Sequence, residues 1–175
     1  NLNPWQVDET IKLLDSGNTI PFIARYRKEA TGELDETVLR AMVDRLEYLR
    51  NLEKRKEEVL RLIDEQGKLN PELKAKILTA AKLQEVEDLY RPYKQKKRTR
   101  ASMAREKGLE PLALWLLSQP LDADPEQEAV KYLNLEKGIT ETKQTLSGAQ
   151  DIIAEQVSDD AEVRKLIRAK SYEKA

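Results

Sequence analysis

Apolar residues return along this chain at three- and four-residue steps with polar residues between them, which is the period of an amphipathic helix. The longest run is Leu39, Met42, Leu46, Leu49, Leu52, Val59 and Ile63, and it predicts one helix over residues 35–66. Asp35 is its expected N-cap, Leu34 and Leu39 are placed to form a hydrophobic staple, and Gly67 ends it. At 1.5 Å per residue such a helix is roughly 45 Å long. Residues 53–58, reading EKRKEE, interrupt the stripe, so the helix is expected to join two lobes, 1–52 and 53–175. Leu46 and Leu49 are expected to be buried, which would make Leu46→Ala cost about 2–5 kcal/mol.

The remaining elements are read from their ends. Asn3-Pro4, Asn70-Pro71 and Asp124-Pro125 each set a capping side chain before a proline, which has no N–H to lose at the first helical position. Gln6 and Gln127 can close capping boxes on Asn3 and Asp124. Helices are therefore predicted over residues 4–16, with Ile11 and Leu14 inward, and 21–30, carrying Phe22, Ile23 and Tyr26. Shorter helices are predicted over 71–82, 84–90, 99–107, 111–118 and 125–134, separated by proline and glycine. A last helical stretch begins near Thr142, and Ser158-Asp159-Asp160 starts a further helix through Val163, Leu166 and Ile167. No segment alternates with period two. The fold class is all-α: a multi-helix bundle in which one long central helix joins two lobes, residues 142–175 continuing into a following segment.

Composition narrows the chemistry. Of 175 residues, 36% are charged and 39% hydrophobic, so a core forms only if the apolar residues are sorted onto narrow stripes. The absence of cysteine and histidine removes disulfides, thiolate nucleophiles, Cys/His zinc sites and serine–histidine catalysis together. No apolar stretch has the length that spans a bilayer, so no membrane partner is expected. The start, NLNPWQ, has neither an initiator methionine nor a signal pattern, and is read as internal to a longer protein.

Charge is distributed unevenly. Residues 91–107, reading RPYKQKKRTRASMAREK, hold Arg91, Lys94, Lys96, Lys97, Arg98, Arg100, Arg105 and Lys107 against one acid, Glu106. That is a surplus of seven positive charges in a chain whose net charge is −1. Phosphate backbones are the natural partner, because each neutralised phosphate releases condensed counterions. Thr99 is the expected N-cap of the helix that follows. The competing reading is a solvated linker, or a salt-bridge partner for acidic helices such as the one holding Glu85, Glu87 and Asp88.

The unit formed by helix 4–16, the turn Gly17-Asn18-Thr19 and helix 21–30 meets the outline of a helix-turn-helix. Read so, Arg25 and Lys28 lie one turn apart on one face and are candidates for nucleic-acid contact; read otherwise, the unit is a packing hairpin. Three acidic clusters, Glu85/Glu87/Asp88, Asp122/Asp124 and Asp159/Asp160, are accounted for by capping and ion pairing more simply than by metal binding. No metal or other cofactor is expected. Trp5 and Trp115 fall on amphipathic helices and are expected in the core.

Four stretches carry a resemblance. NTIPFIARYRKE at residues 18–29, LQEVEDLYRPYK at 83–94, GLEPL at 108–112 and GAQDIIAE at 148–155 resemble the bacterial Tex family of transcription accessory proteins, in the family's order. The resemblance implies a cytoplasmic protein linked to transcription and RNA metabolism. It also implies further domains beyond this chain: an RNase-H-like domain, a helix-hairpin-helix module and a C-terminal OB-fold domain to which the main RNA affinity is ascribed.

Two functions stand after this reading. In the first, the chain is a helical scaffold of a nucleic-acid-binding transcription accessory protein, and residues 91–107 make auxiliary phosphate contacts to RNA, DNA or both. In the second, it is a protein-interaction scaffold that holds the other domains or a partner from the transcription machinery. Neither needs catalysis, and no nucleophile–base pair is present to supply it.

Overall fold

In the computed structural model, which describes residues 2–95, 97–121 and 124–174, the expected apolar stripes are helices and the all-α reading holds. The helices are α1 (Pro4–Asp15), α2 (Ile20–Tyr26), α3 (Lys28–Thr31), α4 (Glu36–Asp64), α5 (Pro71–Thr79) and α6 (Leu83–Tyr90), followed by a 3₁₀ turn, Arg91–Tyr93. Then come α7 (Arg100–Glu106), α8 (Glu110–Leu117), α9 (Pro125–Val130), α10 (Thr142–Asp159) and α11 (Ala161–Glu173). The caps do what the sequence asks of them. Asp35, Asn70, Thr99 and Asp160 each accept from the backbone N–H three residues on, at 2.8–3.0 Å. Asn3 N–H donates to Gln6 Oε1 at 3.0 Å.

Three predicted helices are shorter than their stripes, each for a visible reason. The helix predicted over 21–30 breaks at Arg27 (φ −129°, ψ 26°) into α2 and α3. The break accompanies the inward turn of Thr31, which is fully buried, and Gln6 Nε2 donates to the carbonyls of Thr31 and Gly32. The helix predicted over 71–82 ends at Thr79, because the Glu85 carboxylate takes the N–H groups of Ala81 and Lys82 for the start of α6. The helix predicted over 125–134 ends at Val130; Asn134 and Ile139 then pair their backbones in an isolated bridge, with Gly138 at φ +68° in the turn.

The chain divides into two compact units, residues 1–58 and 59–175, with the division inside α4. In the first, Ile23, Leu34 and Leu39 form the buried centre, closed by Leu13, Leu14, Ile20, Ala24, Val38 and Met42. This cluster reaches only the first turns of α4. Leu46 is consequently half-buried and Leu49 is exposed, contrary to expectation, while Leu52 is buried. Residues 53–58 stay helical, and Lys56 within them is buried and bonded to Glu53 at 2.8 Å. Trp5, expected in the core, is 52% exposed, its ring edge lying against Gly32.

The second unit is built around α10, against which α7, α8, α9 and α11 pack. Ala101, Ala104, Leu109, Leu112, Ala113, Ala129, Ile139, Ala149 and Ile152 are its buried cluster, with Trp115 packed at the edge. Gly148 is the point of closest approach: a Cβ there would stand 2.4 Å from Leu109 Cδ1 and 3.4 Å from the Ala104 Cβ. Elsewhere in this unit Val59, Ile63, Leu73, Ile77, Val86 and Tyr90 are buried.

Chemical denaturation separates these positions. Ile152→Ala, at a fully buried site, is expected to cost about 2–5 kcal/mol, and Leu49→Ala less than about 1 kcal/mol. Gly148→Ala adds a single methyl group and is expected to destabilise by about 1–3 kcal/mol through overpacking. A neutral Gly148→Ala would show that Leu109 can move aside without loss.

Candidate nucleic-acid interface

Arg91 opens the basic segment directly after α6, and Pro92 in the 3₁₀ turn directs the chain away from the helix. The segment then runs past α10, whose Asp151, Glu155 and Asp159 stand at four-residue steps on one side of the helix. Arg91 Nε lies 2.9 Å from Asp159 Oδ1, and Arg105 Nη1 lies 2.6 Å from Glu155 Oε2. Thr99 Oγ1 donates to Glu155 Oε1 at 3.0 Å, so the residue that caps α7 also fastens it to α10. Arg100 approaches Asp151 at 3.6 Å but is 83% exposed. Arg105 also lies 3.5 Å from Glu110, and Arg98 lies 3.4 Å from Glu106.

The cations thus separate by type. The arginines Arg91, Arg98, Arg100 and Arg105 face acids, whereas Lys94, Lys97 and Lys107 are exposed and make no ion pair among the described residues. Lys96 lies outside the described residues. Among the described residues the acids found against this segment are Asp151, Glu155 and Asp159 of α10, with Glu106 and Glu110, while Asp88 and Glu85 are engaged elsewhere. A groove of about 490 Å³ is lined by Lys94, Lys97 and Arg105 together with Glu155, Asp159 and Asp160. Its charges balance, so phosphate is favoured at the exposed ends of the lysines rather than deep among the carboxylates.

Asp88 serves a different contact. Its side chain is 4% exposed and accepts from Arg164 Nε at 2.7 Å and from Arg168 Nη2, both on α11. Burial alone would raise the Asp88 pKa, but hydrogen bonds from Arg168 and Arg164 outweigh it and hold the carboxyl below its ordinary 3.8. Of the other two acidic clusters, Asp159 is paired with Arg91, Asp160 caps α11, Asp124 caps α9, and Asp122 lies outside the described residues. Among the described residues no three such side chains converge as a metal site.

Arg25 and Lys28 do not share one helical face: the break at Arg27 puts them on α2 and α3. Around them lies a surface that the helical pattern did not reveal. Phe22 and Tyr26, four residues apart, are 37% and 60% exposed with ring centroids 5.3 Å apart. The Arg25 guanidinium lies 5.6 Å from the Tyr26 centroid and that of Arg27 lies 5.5 Å from the Phe22 centroid. Only the short i,i+4 spacing of two aromatics among three cations signals this in the sequence.

Comparison with known proteins gives two family matches. Residues 1–64 match the Tex-like protein N-terminal domain and residues 121–175 the Tex central region, with the basic segment between them. The chain is 51% identical over 171 residues to the transcriptional accessory protein Tex of Neisseria gonorrhoeae, covering 97% of this chain and 22% of that protein. It is 53% identical over 163 residues to the protein tex of Bordetella pertussis, covering 93% and 20%. A human protein, S1 RNA-binding domain-containing protein 1, is 34% identical over 170 residues, covering 96% and 17%. The chain therefore spans about a fifth of the length of the curated relatives it matches.

Asp88 yields a pH test. Because the folded state favours its ionised form, the contribution of this contact is complete above the unfolded value near 3.8 and is lost as pH falls through the lower folded value. Asp88→Asn should cost about 1.5–3 kcal/mol at neutral pH and flatten the acid limb of stability against pH. Denaturant melts of both proteins between pH 2 and 7 check this; an unchanged acid limb would show that other carboxylates set it.

Proposed function

Since this chain belongs to the Tex-like family, we propose that it is a helical scaffold of a cytoplasmic transcription accessory protein and touches nucleic acid through the outer edge of residues 91–107. The observation that carries this reading is the division of labour among the cations. Arg91 and Arg105 are fixed to Asp159 and Glu155, and this anchored frame carries Lys94, Lys97 and Lys107 outward without acid partners among the described residues. The exposed Arg100 adds to the same edge. Fixing the backbone through some charges lowers the ordering cost of using the others. The name of the human relative refers to RNA binding, which agrees with a polyanionic partner.

Such an edge recognises phosphate rather than bases, so its contribution is sequence-independent and auxiliary. The reading assigns no reaction to the chain; metal-dependent nuclease activity lost on changing Glu85, Glu87 or Asp88 would overturn that part. The scaffold alternative, without nucleic-acid contact, is favoured by one feature. Val157, Leu166 and Ile167 are exposed near the C-terminal end, as apolar side chains awaiting a partner domain are.

Fluorescence anisotropy with labelled oligonucleotides across salt tests the first reading. Affinity at physiological salt should be about 10⁻⁴–10⁻⁶ M, with log K falling linearly against log [salt]. Changing Lys94, Lys97 and Lys107 together to glutamine should flatten the slope by roughly 2–2.7, from about 0.7–0.9 per phosphate contact. The melting curve should be unchanged, since these side chains are exposed. An unchanged slope would move the contact elsewhere and leave the scaffold alternative standing.

A further inference from the structure

This chain contains a single phenylalanine, and the fold leaves it on the surface. Phe22 and Tyr26 present tilted rings from one side of α2, while Ile23 between them is fully buried and holds the helix to the core. Burial covers part of Phe22 but leaves more than a third of it and more than half of Tyr26 open to solvent. Ion pairing does not account for the cations beside them: Arg25, Arg27 and Lys28 are exposed and make no ion pair among the described residues. The next acids along the chain, Glu29 and Glu33, do not pair with them either. This is the reverse of Arg91 and Arg105 in the basic segment, which are tied to carboxylates.

We propose that Phe22 and Tyr26, with Arg25, Arg27 and Lys28, form a stacking site for unpaired bases of a single-stranded nucleic acid. The inference rests on the reading that this chain contacts nucleic acid, and adds a second site with a narrower ligand. Exposed rings offer a face to any base, and the guanidiniums beside them neutralise the adjoining phosphates. In a duplex the bases are stacked on one another and present no face to these rings. An acidic peptide would satisfy the cations but leave both rings without a planar partner.

The test compares three labelled probes on the whole 175-residue chain: an oligothymidylate, an abasic strand of equal length and charge, and a blunt duplex. The oligothymidylate should bind at least about fivefold more tightly than the abasic strand, the lower end expected for one base on one ring. Changing Phe22 and Tyr26 to alanine should remove that preference and leave abasic binding within about twofold. Tyr26→Ala alone, at the more exposed ring, should reduce it if the double variant melts early, and Tyr26→Trp should preserve it. The variant lacking Lys94, Lys97 and Lys107 should lose affinity for both strands alike and keep the preference. Equal binding of both strands by the wild-type chain, or a preference that survives loss of both rings, overturns the stacking site while leaving the phosphate edge intact. If neither strand binds, both readings fall.

Discussion

Asp151, Glu155 and Asp159 stand at four-residue steps on α10, so they line one side of it and adjoin the stripe formed by Gly148, Ala149 and Ile152. The packing inside the second unit follows from that adjacency. The stripe is bare enough at Gly148 for Leu109 to enter, and the acids beside it take Arg91, Thr99, Arg100 and Arg105. Exposed ion pairs contribute little individually. Here Glu155 and Asp159 are largely covered, at 15% and 12% side-chain exposure, so their charges need these partners far more than surface carboxylates would.

This arrangement changes what the surplus of charge means. In composition, residues 91–107 are a cationic stretch aimed at any polyanion. In the fold, α10 has already taken part of that charge through Arg91 and Arg105, and Lys94, Lys97 and Lys107 remain outward beside the exposed Arg98 and Arg100. The distinction follows side-chain chemistry. Guanidinium groups suit fixed, directional contact with carboxylates, whereas ammonium groups on flexible stems stay hydrated and act as mobile point charges.

Local signals were legible where the chain speaks about its neighbours a few residues away. The caps at Asp35, Asn70, Thr99 and Asp160 and the staple of Leu34 on Leu39 needed no tertiary information. Partners distant in sequence were not legible. Nothing around Asp88 names Arg164 or Arg168, and periodicity could not show that the apolar cluster stops short of Leu46 and Leu49. The same limit explains Gln6, a polar residue buried because two carbonyls some 25 residues away turn toward it. Of the candidate site, the cationic residues could be read from the chain, but which of them face water required the fold. The aromatic surface of α2 was hidden because Phe22 and Tyr26 fit an inward stripe as readily as an outward one.

No residue of α11 is fully buried, and two of its apolar side chains, Leu166 and Ile167, are more than half exposed. Its hold on α6 passes through two arginines converging on the one carboxylate of Asp88. A helix held at such a point, rather than along an apolar face, sits at the low end of the range of local opening free energies. Its amides are therefore the ones to exchange with solvent early, while those of α10 keep the protection of the interior; the boundary between slow and fast exchange falls at Asp160, where one helix caps the next.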